Sequence, residues 1–138
     1  HKNIRRGRAA GINMIPTTTG AAEAVIEAIP FLKGKMTGLS VRVPVTCGSL
    51  ADLTFEVNKP VSKEEVNKAL DKASRSTFKG LIELNNDPIV SSDIIGNPHS
   101  AIIDTLSTQV TGNLVKVLAW YDNEFGYSNR VIDVIKRL

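Results

Sequence analysis

Cysteine, histidine and aromatic residues are scarce in this chain of 138 residues: one Cys, two His, one Trp, two Tyr and four Phe. With Cys47 alone, no intramolecular disulfide can form, which suits a reducing compartment, and a cytoplasmic location is the expectation. Metal-ligand spacing is absent, so no metal is expected. No apolar run approaches the length that crosses a bilayer, and no signal peptide is visible, so no membrane partner is expected. Internal repeats and low-complexity segments are missing too. Charge is nearly balanced, with 17 Lys and Arg against 14 Asp and Glu, for a net charge of +3. Part of that excess is crowded into Lys2, Arg5, Arg6 and Arg8. Neither aromatic nor Gly-rich interleaving accompanies the basic cluster, so nucleic acid is not the expected partner. A small anionic metabolite or a subunit contact suits those arginines better. Hydrophobic residues make up 42% of the chain, enough for the core of one domain over residues 1–138. The start at His1, in a charged segment, reads as a cut through a longer protein.

The informative stretch runs from Ile15 to Val25. Thr17, Thr18, Thr19 and Gly20 lead straight into alanine-rich sequence, so hydroxyls and backbone N–H groups converge where a helix dipole favours negative charge. Phosphate is the natural guest, and simple helix capping is the competing reading. Arg42, in the middle of a strand pattern, could grip a phosphate through parallel hydrogen bonds, or could be an ordinary exposed strand arginine. Trp120 to Ser128 gathers aromatic and hydrogen-bonding side chains at a strand-to-helix junction, a place where binding groups collect. Cys47 has no histidine near it in sequence and reads as a spectator thiol. Neither His1 nor His99, the latter in an Asn-Pro-His-Ser turn, reads as a general base. The inventory holds an anion site and no catalytic nucleophile or base.

Taken in order, residues 1–12 read as an irregular arm. A helix over Gly20 to Phe31, stopping at Pro30, carries Ala22, Val25, Ile26 and Ile29 on one face. Leu39 to Val45 alternates as a strand with Arg42 opposed to its apolar neighbours, and Ala51 to Val57 alternates more clearly still, with antiparallel pairing between the two expected. Ser62 to Glu65 is a capping box for a helix that buries Val66, Ala69, Leu70 and Ala73. Gly80 to Leu84 is a short strand, Asn85 to Pro88 a turn, and Ile89 to Ile95 and Ala101 to Leu106 are β-prone. Leu114 to Tyr121 is apolar on both faces apart from Lys116, as in a central strand. A final helix, Phe125 to Leu138, is expected to bury Val131, Ile135 and Leu138. Without regular βαβ alternation, the expectation is an α+β two-layer sandwich, its sheet largely antiparallel or mixed, with helices on one face.

These residues carry a resemblance. Asn13 to Ala22, Gly34 to Gly38 leading into Val41 to Pro44, Val90 to Asp93, and Trp120 to Ser128 closely resemble the catalytic domain of phosphorylating glyceraldehyde-3-phosphate dehydrogenase. They occur in family order and spacing across nearly the whole chain. The resemblance implies an NAD-dependent oxidoreductase of glycolysis, with NADP left open, that converts glyceraldehyde 3-phosphate and inorganic phosphate to 1,3-bisphosphoglycerate. It also implies a homotetramer. The family's nucleophilic cysteine and basic histidine belong to motifs upstream of the position matching His1; Cys47 matches no catalytic position.

By the same resemblance, Thr19 and Gly20 match the inorganic-phosphate site, Arg42 the arginine that holds substrate phosphate, and Arg6 another arginine of the anion region. Asn123 matches the residue that bonds the nicotinamide carboxamide, with Tyr127 beside it. Residues 1–12 resemble the end of the S-shaped loop, and the Rossmann domain is absent, so an isolated chain is expected to be inactive. The final helix of the family packs partly on that absent domain, so some apolar surface is expected to be exposed. Three other readings stand beside this one: a truncated homologue serving as a binding or assembly module, a fragment of erythrose-4-phosphate dehydrogenase, and a nucleic-acid binder acting through the arginine arm of residues 1–8. The Thr-Thr-Thr-Gly run argues against the second.

Overall fold

The computed structural model describes residues 2–138, in two compact units, the first ending at Thr46 and the second running Cys47–Leu138. His1 lies outside the described residues. The first unit is small and thinly cored. Strand β1 (Ile15–Thr17) pairs antiparallel with β2 (Ser40–Arg42), and helix α1 (Ala21–Ala28) lies between them in sequence. Ile15, Thr17 and Ala22 are its buried residues, while Ile4, Ile12, Met14, Phe31 and Leu39 stay exposed. Pro30 cannot donate to the helical ladder, and α1 stops at Ala28 before a 3-10 turn over Pro30–Leu32. Ile29 therefore leaves the expected apolar face and is half exposed.

The second unit is an α+β arrangement with a four-stranded mixed sheet in the order β3-β6-β5-β4: β3 (Ser49–Glu56), β4 (Ile82–Asn85), β5 (Ala101–Thr111) and β6 (Leu114–Tyr121). The α+β class, with a mixed sheet, is as expected. β6 is central, antiparallel to both β3 and β5, and β4 joins β5 in parallel. Val115, Val117 and Ala119 of β6 bury with Ile103 of β5, and Val66 and Leu70 of helix α2 (Lys63–Arg75) pack against them. The capping box is formed: Ser62 Oγ accepts from Glu65 N at 3.1 Å, and Glu65 Oε2 accepts from Ser62 N at 2.7 Å. Ala69, expected on the buried face, is exposed.

Three other expectations are corrected. The Leu39 to Val45 and Ala51 to Val57 segments do not pair with each other; β2 takes β1, and β3 takes β6 in the register Ser49↔Tyr121 to Glu56↔Leu114. Alternation states which face a strand buries and leaves its partner open. The first of these strands is also shorter than its pattern, Ser40–Arg42 only, with Pro44 beyond it. The last helix, α3, spans Phe125–Ile135, and Val131, Ile135 and Leu138 are 40%, 63% and 102% exposed. Among the described residues of the second unit none buries that side of the helix, in keeping with the apolar exposure the resemblance implied.

Strand β5 leaves its ladder between Asp104 and Gln109, where it runs several residues longer than β6 opposite. Such a bulge orphans backbone groups, and helix α2 satisfies them. Lys63 Nζ donates to Leu106 O at 2.7 Å and Asn67 Nδ2 to Thr105 O at 3.1 Å, while Asn67 Oδ1 accepts from Thr108 Oγ1 at 2.8 Å. Helix α3 docks differently, through a close backbone approach. A Cβ on Gly126 would lie 2.9 Å from His99 O. Gly126→Ala should therefore destabilise the chain by about 1–3 kcal/mol, read as a lowered midpoint in urea denaturation; an unchanged midpoint would show that α3 can shift freely.

Candidate functional site

The first unit contains the threonine loop. β1 ends at Thr17, whose side chain is buried, and the chain turns through Thr18, Thr19 and Gly20 into α1. Thr19 Oγ1 accepts from Ala21 N at 3.1 Å, so one threonine does cap the helix mouth. Arg6 reaches the loop from the N-terminal arm: its Nε donates to Thr17 Oγ1 at 2.6 Å and its Nη2 to Thr18 O at 3.3 Å. Its Nη1 is not used in these bonds, and the guanidinium is fixed beside the hydroxyls. An open groove of about 710 Å³ borders this loop, lined among others by Lys2, Arg5, Thr17, Thr18 and Thr19.

Arg42 stands opposite Ile15 in the β1–β2 ladder, with Ser40 opposite Thr17. Directly opposed residues of an antiparallel pair share a face, so Arg42 projects on the side of Ile15 and Thr17, and Val41 on the side of exposed Pro16. The structure thus brings Arg6, Thr17 and Thr18 into contact and sets Arg42 on the same face of the ladder as Thr17. Gly20 lies at φ −89°, and among the described residues nothing outside its immediate chain neighbourhood is within 4 Å of the place a Cβ would take. Neither the backbone nor packing within the chain requires glycine there.

The second unit carries Asn123 and Tyr127, organised by Asp122. This carboxylate is buried, and both oxygens accept backbone hydrogen bonds: Oδ2 from Gly96 N at 2.9 Å, Oδ1 from Glu124 N at 2.9 Å and Phe125 N at 2.8 Å. Hydrogen bonding by Gly96 N–H, then by Phe125 N–H and more weakly Glu124 N–H, holds Asp122 below the usual carboxylate range despite its burial. Asn123 is fixed from the sheet, its Oδ1 accepting from Ser49 Oγ at 3.2 Å. That bond orients the amide so that both Nδ2 donors are unspent. Tyr127, on the first turn of α3, is 71% exposed.

Sequence reasoning did not single out Thr17 as the acceptor for Arg6, Ser49 as the partner of Asn123, or Asp122 as the organiser of the junction. Only the last had a local signal, an Asp placed to cap the helix that follows. Cys47 is free and half-buried. His99 Nδ1 lies 3.0 Å from Glu83 Oε2 and 2.9 Å from Asn97 Oδ1, within the loop that receives Gly126. Among the described residues no group of His, Cys, Asp and Glu could hold a metal ion, and no helix is long and apolar enough to cross a membrane.

Residues 1–123 match the family model described as glyceraldehyde 3-phosphate dehydrogenase, C-terminal domain. Glyceraldehyde-3-phosphate dehydrogenase 2 of Streptomyces avermitilis is 54% identical over 135 residues, which is 97% of this chain and 40% of the relative. The glyceraldehyde-3-phosphate dehydrogenase of Borreliella burgdorferi is 54% identical over 141 residues, covering 100% of this chain and 42% of the relative. For Bacillus subtilis glyceraldehyde-3-phosphate dehydrogenase 2 the values are 50% over 139 residues, 100% and 41%. The chain therefore spans about two fifths of the length of these relatives. An α+β chain with relatives of this kind falls in the class of dehydrogenase domains, which are parts of oxidoreductases. Within that class, it belongs to the glyceraldehyde-3-phosphate dehydrogenase C-terminal domain family.

The bonds to Asp122 predict a pH signature. The native state keeps this group deprotonated to lower pH than the unfolded chain, so it binds fewer protons and stability rises with pH through that window. The contribution is present above the unfolded value of about 3.9 and is lost as pH falls through the lower native one. Asp122→Asn places an amide where Gly96 N–H needs an acceptor, and should cost about 1–3 kcal/mol at pH 7. The gap between the two proteins in denaturant melts should narrow on acidification below about pH 4. A gap that does not change with pH would mean that Asp122 acts by shape alone.

Proposed function

We propose that this chain is the phosphate- and substrate-binding part of a glycolytic dehydrogenase that converts glyceraldehyde 3-phosphate, inorganic phosphate and NAD to 1,3-bisphosphoglycerate and NADH. The observation that carries the reading is the bonding of Arg6 to Thr17 and Thr18, which places a fixed cation beside the threonine run. Thr19 and Gly20 form the inorganic-phosphate site, where Gly20 leaves room for an oxyanion to approach the backbone. Arg42 holds the substrate phosphate, its planar guanidinium suited to two parallel N–H···O bonds. Arg6 adds charge and fixes the loop that both phosphates approach.

Asn123 and Tyr127 form the cofactor contact. When bound, NAD would supply the hydride acceptor. Asn123, held by Ser49, would orient the nicotinamide by hydrogen bonding through its side-chain amide to the carboxamide. Asp122 positions Asn123 by tying the junction to Gly96. The cofactor reading is NAD, with NADP as the alternative. The chain supplies no nucleophile or base, with Cys47 a spectator, so the catalytic cysteine and histidine come from elsewhere in the whole enzyme. Residues 1–138 act as one catalytic domain with 1–12 as the end of an S-shaped loop, in a cytoplasmic homotetramer. The exposed apolar side chains of β3 and α3, among them Leu53, Phe55, Ile132 and Ile135, support burial against further protein in that assembly.

Calorimetric titration of the chain with inorganic phosphate, then with glyceraldehyde 3-phosphate, at low salt tests the binding role. Arg42→Ala should weaken the sugar phosphate, and Thr19→Ala inorganic phosphate, each by about tenfold or more, equivalent to about 1.4 kcal/mol. Absence of binding by the folded chain, or variants that bind as the parent does, would refute a preformed anion site. The isolated chain should also lack NAD-dependent oxidation of glyceraldehyde 3-phosphate; turnover near that of an intact dehydrogenase would overturn the assignment of nucleophile and base to other residues.

A further inference from the structure

A second concave, basic surface lies within the Cys47–Leu138 unit, on residues that the phosphate-site reading does not use. Thr77, Lys79, Gly80 and Leu81, between α2 and β4, and Arg130, Asp133, Lys136 and Arg137, on and just past α3, line a cavity of about 470 Å³. Its charged groups differ sharply in how they are occupied. Arg130 is committed to structure: Nε and Nη2 donate to Asp133 Oδ2 at 2.9 and 2.7 Å, and Nη1 to Pro98 O and Ser100 Oγ at 3.3 and 3.1 Å. That pairing also offsets the charge of the one carboxylate of the cavity, through its Oδ2. Lys79, Lys136 and Arg137 have no acidic or hydrogen-bonding side-chain partner among the described residues, and neither does the Thr77 hydroxyl.

Lys136 and Arg137 alone would be ordinary, because cations suit the end of a helix. Lys79 has no such reason. It sits in the turn closed by Gly80 at φ +75°, a left-handed conformation that favours glycine, and so comes to the same concavity from a separate element. Three unpaired cations held in one hollow repel each other, and a bound polyanion would relieve that repulsion. The volume falls in the range of small-molecule sites, about 300–1,000 Å³. Leu81 is the one apolar side chain in the lining, and no aromatic ring offers a platform for a base.

We propose that this cavity binds a linear oligophosphate group, a diphosphate or triphosphate, with Lys79, Lys136 and Arg137 as its cationic ligands and Thr77 as a hydroxyl donor. Recognition rests on the phosphate chain, whether it belongs to free oligophosphate or to a nucleotide. Inorganic tripolyphosphate titrated into the isotope-labelled chain at low salt, without metal, should shift the amide resonances of residues 77–81 and 130–137. The triple variant Lys79→Gln, Lys136→Gln, Arg137→Gln, all exposed positions, should keep the remaining spectrum and lose at least about tenfold in affinity. Orthophosphate should bind at this place more weakly than tripolyphosphate. Adenosine triphosphate in a parallel titration separates the sources: equal affinity points to free oligophosphate, tighter binding to a nucleotide. Shifts confined to residues 2–42, a triple variant as tight as the parent, or no shift at millimolar tripolyphosphate would overturn the proposal. Because the threonine loop lies in the other unit, failure here leaves the phosphate-site reading untouched, and failure there leaves this one.

Discussion

Burial of β6 is the constraint on which the second unit depends. Val115 is completely buried and Val117 and Ala119 nearly so, and a strand buried in this way must satisfy its backbone on both edges. β3 and β5 meet that demand, and their registers then follow from β6. The strand delivers its C-terminal end, at Tyr121, directly to Asp122. From there, the buried carboxylate turns the chain into α3 and ties it back to Gly96. Asn123 is held where it is because it follows a rigid strand and precedes a capped helix, with Ser49 of the neighbouring strand on its carboxamide.

The threonine loop is built on a different principle. Its unit has few buried residues, so hydrophobic burial contributes less and polar contacts more. Arg6 ties the irregular arm to the end of β1 through a hydroxyl and a carbonyl, and the short β1–β2 ladder sets the face on which Arg42 projects. A guanidinium anchored by its own protein is pre-organised for an anion, because little side-chain entropy remains to be lost. The oligophosphate cavity follows the opposite logic. Its cations are unanchored, and only Arg130, which is anchored, is spent on structure.

Much of this was legible from local sequence. The Ser62 to Glu65 capping box, the apolar run of β6 and the proline that ends α1 act over a few residues, and each formed as read. The anion-site proposal for the Thr-Gly run likewise starts from a local feature, since hydroxyls and a helix mouth are adjacent in the chain. Strand partners could not be read, because pairing of β3 with β6 joins residues far apart in sequence. The exposed face of α3 was misread for a related reason. Val131, Ile135 and Leu138 have the spacing of a buried stripe, and periodicity records that a face is apolar without stating that its cover lies in the same chain.

The sequence by itself determined most element types, the α+β class and the family, because propensity, capping and motif spacing are properties of neighbouring residues; the β-prone Ile89 to Ile95, by contrast, forms no strand. Tertiary structure alone decided that Arg6 meets Thr17, that Ser49 holds Asn123, that Gly126 must lack a side chain under His99, and that Lys79 joins Lys136 and Arg137. Each of these juxtapositions joins residues that are not neighbours in the chain, from 11 positions apart for Arg6 and Thr17 to 74 for Ser49 and Asn123. Its partner is chosen by where strands and helices come to rest, and no local pattern encodes that position.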